Sequence, residues 1–406
     1  MSKVIVIGAG PAGMMAALEA SKNHEVTLIE KNEKIGKKLY ITGKGRCNVT
    51  NAKDIGEFFD NIPGNPYFLY SALYSFTNQD TISLLENLGV SLKVERGDRV
   101  FPKSDKSSDI INAFQKALID SGVNIKLNSK VTNVHYSNNK IQYIEVNNNT
   151  KVYADYFILC TGGISYPQTG STGDGLKYSK LMGHKIIETK GSLVPIQLKE
   201  SFVKELQGLS LKNVEIKILE GKNLVYKNFG EMLFTHFGVS GPIVLTGSRY
   251  IEEGRKYTIK INLKPALNEK ELDERIQRDF TKNINKDFKN ALDELLPQKI
   301  IPTIIRLSEI DENKKINSIT RAERKKLVNL IHELTFNVEK LRPVAEAIVT
   351  AGGVNIDEID PSTMKSKIVD NLYFAGEVMD VDAFTGGYNV QIAFSTGYLA
   401  GNKLGK

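Results

Sequence analysis

Apolar positions along the chain change period several times. A β-branched run from Lys3 to Ile7 is followed by helical spacing from Pro11 to Lys22 and by a second apolar run from Val26 to Glu30, the order of a βαβ unit. Helical spacing recurs over Asp80–Leu88 and Asp109–Ser121, and Val152–Cys160 reads as a strand that stops at Gly162 and Gly163. Roughly the first 190 residues therefore predict α/β structure. Next, Val214, Ile216 and Ile218 alternate with polar neighbours, as do Tyr257, Ile259, Ile261 and Leu263, so an antiparallel β segment follows. From Glu269 to Leu330 the chain is highly charged, with Leu272, Ile276 and Phe280 and then Ile284, Phe288, Ala291 and Leu295 at helical spacing, punctuated by Pro297 and Pro302. Asn371–Ala375 is a short strand again, and Asn389–Leu399 a helix with Gly397 near its end.

These shifts predict one nucleotide-binding domain built from both chain ends, with β and helical segments inserted between them. A length of 406 residues exceeds one small core and suits two or three folded units. With 41% hydrophobic and 25% charged residues the chain reads as an ordinary soluble protein, and no run reaches the roughly 20 apolar residues of a membrane span. The apolar start runs straight into a glycine turn with no cleavage site, so it predicts a first strand and not a secretory leader. Cys47 and Cys160 form no pair motif, which argues against a disulfide framework or a zinc site and favours a reducing cytoplasm. The net charge of +7 comes from lysines interleaved with acids, the pattern of a solvated surface.

Chemistry enters with Gly8-Ala9-Gly10-Pro11-Ala12-Gly13, which follows a strand and opens a helix. Gly8 makes the tight turn, Gly10 lets a pyrophosphate approach the backbone, and Gly13 lets helix and strand pack closely. The helix start offers free N–H groups and a partial positive charge to phosphate. Glu30, at the end of the next strand, is placed to accept hydrogen bonds from ribose hydroxyls.

This turn alone does not separate FAD from NAD. A second glycine-rich helix start, from Gly376-Glu377 through Asp380 to Gly386-Gly387-Tyr388-Asn389-Val390-Gln391, favours a flavin, because its positive end can face the pyrimidine edge of the ring, where charge develops on reduction. Residues 37–51, rich in glycine, basic and amide side chains, hold donors for phosphate or flavin. Cys47 has no second thiol nearby and predicts a packing or flavin-adjacent residue. Thr161-Gly162-Gly163 ends a strand and suits backbone contact with the cofactor, whereas the glycines that follow lack a second strand ending in an acid, so only one dinucleotide fold is expected. His236, in a polar stretch from Phe234 to Pro242, is either an acid, base or substrate contact or a satisfied structural histidine. No other histidine has a motif around it.

These motifs, GAGPAG at 8–13, GKGRCNVTN at 43–51, TGGISYPQTGSTGDG at 161–175, THFGVSGP at 235–242, TAGGV at 350–354 and the run at 372–397, occur in one order over nearly the whole chain. In them the sequence resembles the bacterial NAD(P)/FAD-dependent flavoprotein family that includes aminoacetone oxidase and a bile-acid-type enone reductase. The resemblance implies a Rossmann-like FAD domain, 1–190 and 344–406, interrupted by a β-barrel-like domain, 191–265 and 325–343, which carries a helical domain, 266–324. It also implies that Gly8, Gly10, Ala12, Gly13, Glu30, Lys31, Arg46, Cys47, Asn48, Thr161, Gly162, Gly376, Glu377, Gly387, Asn389, Val390 and Gln391 lie along FAD. The expected cofactor set further takes in Pro11, Lys38, Lys44, Val131, Gly163, Asp380, Gly386 and Tyr388. Lys44 departs from the family, which usually has a glycine there.

The expected activity is an exchange of hydride between flavin and a small organic substrate, in a cleft between the FAD domain and the inserted domains, with NAD(P)H or dioxygen as the other redox partner. Reductase and oxidase both stay open, as do the physiological substrate and the oligomeric state, and His236 is the candidate acid or base. No metal and no membrane is expected. Two other classes are an RNA-modifying flavoprotein, against which the lack of a basic arm counts, and a flavin-bound redox regulator without a substrate.

Overall fold

Strand β1, Lys3–Ile7, buries Val4, Ile5, Val6 and Ile7, the unbroken apolar run of a strand covered on both faces. The computed structural model to which it belongs describes residues 1–405. It divides into two compact units, residues 1–192 with the segment from Val344 onward, and Leu193–Pro343. Helix α1, Pro11–Ala20, leads from β1 to β2, Glu25–Ile29, which pairs parallel with β1. Pro11 suits the first turn because its missing N–H has no helical partner to lose there. Strand β3, Asn124–Lys126, extends the sheet beyond β2, and β4, Tyr156–Leu159, pairs with β1 on the other side.

The single strand expected over Val152–Cys160 is two. Thr150–Val152 closes an antiparallel meander with residues 131–146, and β4 starts only after Asp155, whose carboxylate accepts the Lys3 N–H at 2.7 Å. A polar anchor thus breaks an apolar run that reads as continuous.

In the second unit, β5 (Ile196–Leu198), β6 (Ser210–Glu220), β7 (Asn223–Phe234), β8 (Gly238–Ser240), β9 (Tyr257–Asn262) and β10 (Leu334–Leu341) close a barrel in the order β5-β8-β7-β6-β9-β10. The alternating Val214, Ile216, Ile218, Ile259 and Ile261 are all buried. Helices α2 (Glu269–Lys282), α3 (Ile301–Ser308) and α4 (Arg321–His332) put Leu272, Ile276, Ile304, Leu327 and Ile331 into the same apolar cluster as the barrel strands. The helical spacing from Ile284 to Leu295 does not make a helix. The chain there is turns and one 3-10 turn at Phe288–Asn290, which bury Phe288, Ala291 and Leu295 and leave Ile284 exposed.

Returning to the first unit, β11 (Leu372–Phe374) pairs parallel with β4 and completes the sheet order β11-β4-β1-β2-β3. Helix α5, Tyr388–Asn402, then packs on α1 at backbone contact. A Cβ on Gly397 would lie 2.4 Å from the Ala12 carbonyl oxygen, and one on Gly401 would lie 2.6 Å from that of Ala16. The architecture is α/β, a Rossmann-like domain made from both chain ends with an inserted barrel and helices. Among the described residues no helix is long and apolar enough to cross a membrane.

Candidate cofactor site

The turn after β1 is shaped by packing at two glycines and by nothing at the third. Gly8 has φ +100, donates its N–H to the Ile29 carbonyl at 2.8 Å, and would bring a Cβ within 2.6 Å of the Cys160 oxygen. A Cβ on Gly13 would sit 1.8 Å from the Gly8 oxygen. At Gly10 no protein atom lies within 4 Å of the added carbon, so the open side of the turn faces space that a ligand can fill. No side chain caps α1 and its first turn holds no acid, which leaves the Ala12 and Gly13 N–H groups and the helix dipole for an anion. Glu30 is buried beside this turn, held by N–H groups of Ala9 at 2.8 Å and Asn32 at 2.9 Å and by the Asn32 amide at 2.7 Å.

The loop after β4 folds against the end of β2. Lys31 donates to Thr172 and Asp174, and the Asn32 amide donates to the Thr169 carbonyl. Burial raises the Asp174 pKa, yet the bonds from Lys31 and Thr172 outweigh it and hold this carboxyl below its ordinary value. Thr161 Oγ is buried with no partner. Gly162 has φ +71, and a Cβ on Gly163 would lie 2.3 Å from Thr350 Oγ. Val131, also buried, accepts the Tyr178 hydroxyl at its carbonyl.

In the 42–48 loop Gly43, Lys44, Gly45 and Cys47 all take positive φ. Lys44 therefore occupies a backbone conformation suited to the glycine that the family usually has. Arg46 is bound to Glu95 and Asp105 and lies 4.3 Å from the Phe101 ring centre. Cys47 is fully buried, and burial pushes its thiol pKa up, so it stays a protonated packing group; Cys160 is likewise a free, buried thiol. Asn48 is buried with its Oδ1 unpartnered.

At the C-terminal end, Glu377 is gripped by three donors. It receives Lys38 Nζ at 2.6 Å, Ser165 Oγ at 2.9 Å and the Thr350 N–H at 2.6 Å, while Lys38 also donates to Ser165 at 2.7 Å. Asp380 accepts the Asn65 amide, and Gly376 takes the φ of +75 that a side chain would resist. Gly386 and Gly387, at φ +132 and +101, turn the chain into α5, whose start has no side-chain cap. Asn389 clamps the preceding loop through Ala383, and buried Tyr388 meets Phe58 edge to face; Val390 is half-buried. Gln391 is saturated within the core, accepting from Thr50 and Thr81 and donating to Phe76 and Ser395.

The orphaned atoms and the helix starts fit FAD. Ala12 lies beside Gly397 and Ala16 beside Gly401, so α1 and α5 run parallel, with the start of α5 about eight residues, or ~12 Å, ahead of that of α1. Two positive helix ends staggered in this way match a cofactor with a pyrophosphate and, a ribityl chain away, a ring that gains negative charge. Asn48 and Thr161 are buried polar groups that lack protein partners, the condition of groups that could receive a cofactor. The partners of Thr350, Ser165, Asn32 and Asp174 escape sequence reasoning because they are distant in the chain; Thr350, Ser165 and Asp174 lie in glycine-rich motifs that mark them, and Asn32 does not. His236 belongs to the other unit, exposed on the turn between β7 and β8, its ring edge to face with Phe237.

A site of this construction on this fold is that of an FAD-dependent oxidoreductase. The family described as HI0933-like protein Rossmann domain matches residues 2–403, and the chain belongs to it. It is 34% identical over 403 residues to a ribosomal RNA dihydrouridine synthase of Haemophilus influenzae, covering 98% of this chain and 97% of that one. It is 29% identical over 409 residues to a 3-dehydro-bile acid delta(4,6)-reductase of Clostridium scindens, covering 99% and 98%. A solved 3-ketosteroid delta1-dehydrogenase of Sterolibacterium denitrificans shares the fold at a TM-score of 0.51 and 13% identity, over 99% of this chain and 98% of that one.

Proposed function

We propose that this chain reduces a carbon–carbon double bond conjugated to a carbonyl group, and that the bond lies in a uracil ring of ribosomal RNA. One observation carries this reading: the names of two relatives matched over nearly the whole chain share a bond type. Uracil has a ring double bond conjugated to a carbonyl, and a 3-oxo bile acid with delta-4,6 unsaturation has the same arrangement. The RNA substrate is preferred because the dihydrouridine synthase is the more similar relative, at 34% against 29% identity. This places first the class against which the missing basic arm counted.

When bound, FAD supplies the two-electron reduction. The chain's part is to bind and orient it. Ala12 and Gly13 N–H groups hold the pyrophosphate, Glu30 takes the ribose, Asn48 and Thr161 receive the cofactor's polar edges, and the start of α5 favours the charge that develops at the pyrimidine edge. The Lys38–Glu377–Ser165–Thr350 network locks the segments that carry these groups. Proton delivery to the carbon next to the substrate carbonyl is assigned to His236, an exposed imidazole. NAD(P)H is proposed as the electron donor.

The test is anaerobic. The FAD-loaded protein is reduced with NADPH or NADH, unmodified ribosomal RNA transcribed in vitro is added, and the digested nucleosides are weighed. Dihydrouridine, two hydrogens heavier than uridine, is the expected product. Reduction of a 3-oxo-delta-4,6 bile acid and not of RNA would establish the steroid reading instead, and reduced flavin that neither substrate reoxidises would end the proposal. His236→Asn should slow reoxidation by RNA roughly 10²- to 10⁴-fold while flavin reduction by NAD(P)H is unchanged.

A further inference from the structure

The basic excess of the chain is confined to one unit. Residues 193–343 carry 27 Lys and Arg against 21 Asp and Glu, which is +6 of the total +7, whereas the unit with the cofactor site is close to neutral. Within that unit the barrel register sets lysines side by side. Lys217 on β6 is directly opposite Lys227 on β7 and directly opposite Lys260 on β9, so three ammonium groups form one row across adjacent strands. They alternate with the buried Ile216, Ile218, Ile259 and Ile261, and therefore point outward.

Like charges directly opposite on neighbouring strands destabilise a sheet. Two carboxylates relieve the row only in part: Glu215 is shared by Lys227 at 3.1 Å and Lys217 at 3.9 Å, and Glu333 pairs with Lys260 at 2.6 Å. Beside the row stands Phe229, which is opposite Glu215 and is 51% exposed. A row of cations with an exposed ring at its flank is chemistry for a phosphate backbone with an unstacked base.

We propose that the outward face of the β6–β7–β9 sheet is a docking surface for RNA, with Lys217, Lys227 and Lys260 contacting successive phosphates and Phe229 stacking on a base. The proposal rests on the RNA reading above and names the part of the chain that carries the affinity. RNA is the occupant chosen because the excess charge is positive and the ring is exposed; an anionic membrane has the same charge but no base to stack.

The experiment uses the full-length, FAD-loaded protein. Binding of protein-free ribosomal RNA transcribed in vitro is measured against salt concentration for the wild type, for the triple variant Lys217→Ala, Lys227→Ala, Lys260→Ala, and for Phe229→Ala, with thermal unfolding and flavin content checked in each. Loss of three phosphate contacts should flatten the slope of log affinity against log salt by about two to three and weaken binding roughly tenfold to a hundredfold at low salt. Phe229→Ala should weaken binding roughly fivefold or more with its slope unchanged. A triple variant that binds with wild-type affinity and slope, while the wild type makes dihydrouridine, overturns the surface and spares the function. Wild-type protein that neither binds nor reduces RNA overturns both, and binding to phosphatidylserine vesicles in place of RNA overturns the choice of occupant.

Discussion

Gly8, Gly10 and Gly13 share one turn, and the structure gives them different reasons to be glycine. The two that pack against protein were readable from the spacing, because the turn, the strand end and the helix start are all local. Gly10 is different, since its neighbourhood is empty of protein. Two substitutions separate the reasons. Gly10→Asp leaves room for its side chain but sets a carboxylate where a pyrophosphate must approach, so the variant should fold with an unfolding temperature close to that of the apo wild type and yet lose FAD on a desalting column. Gly13→Ala should instead lower the stability of the apo protein by about 1–3 kcal/mol or more, because its Cβ meets the Gly8 oxygen. Denaturant melts with and without FAD check both, and a Gly10→Asp protein that keeps a full complement of flavin would sink the assignment of this turn. What no local pattern reveals is that the Gln391 side chain is satisfied within the core by Thr50, Thr81, Phe76 and Ser395, residues that are mostly hundreds of positions away.

Elements were legible where period and caps agree. Leu272, Ile276 and Phe280, read at helical spacing, fall on α2, where Asn268 and Glu271 form both halves of a capping box, as Thr320 and Glu323 do at the start of α4. By contrast, Ile284–Leu295 has the period but none of the ends, and it folds as turns, while Val152–Cys160 has the apolar content of one strand and is cut by a polar anchor at Asp155. Glu323 makes the α4 start sensitive to pH. The Lys314 ammonium, followed by the Thr320 N–H, holds its carboxyl at about 2, below the ordinary 4.5. A carboxyl with a depressed folded value contributes stability that is present above about pH 4.5 and is lost as pH falls toward 2. Because the side chains of this pair are 28% exposed, solvent limits the effect to about 1 kcal/mol. Glu323→Gln should cost about that much at pH 7 and remove this acid-side dependence, as read by urea melts at pH 7 and pH 3; a variant as pH-sensitive as the wild type would show that the dependence comes from elsewhere.

At the scale of the whole molecule, the two units have separate apolar cores, one drawn from residues before 183 and after 353, the other from residues 196–338. The candidate cofactor groups belong to the first unit only: Gly10, Glu30, Asn48 and Thr161 lie before residue 193, and the start of α5 comes from the segment after Val344. A ligand stabilises the fold that binds it by mass action, by about 2.7 kcal/mol at one hundred times its dissociation constant. For a unit of this size that corresponds to roughly 5–10 °C in unfolding temperature. FAD should therefore raise one thermal transition and leave a second in place, and Glu323→Gln, which weakens the inserted unit, should lower only the transition that FAD does not move. Differential scanning calorimetry of the wild type and the variant, with and without FAD, makes both assignments in one experiment. If FAD and the substitution moved the same single transition, the units would unfold together, and the insertion would be part of the cooperative structure that holds the cofactor.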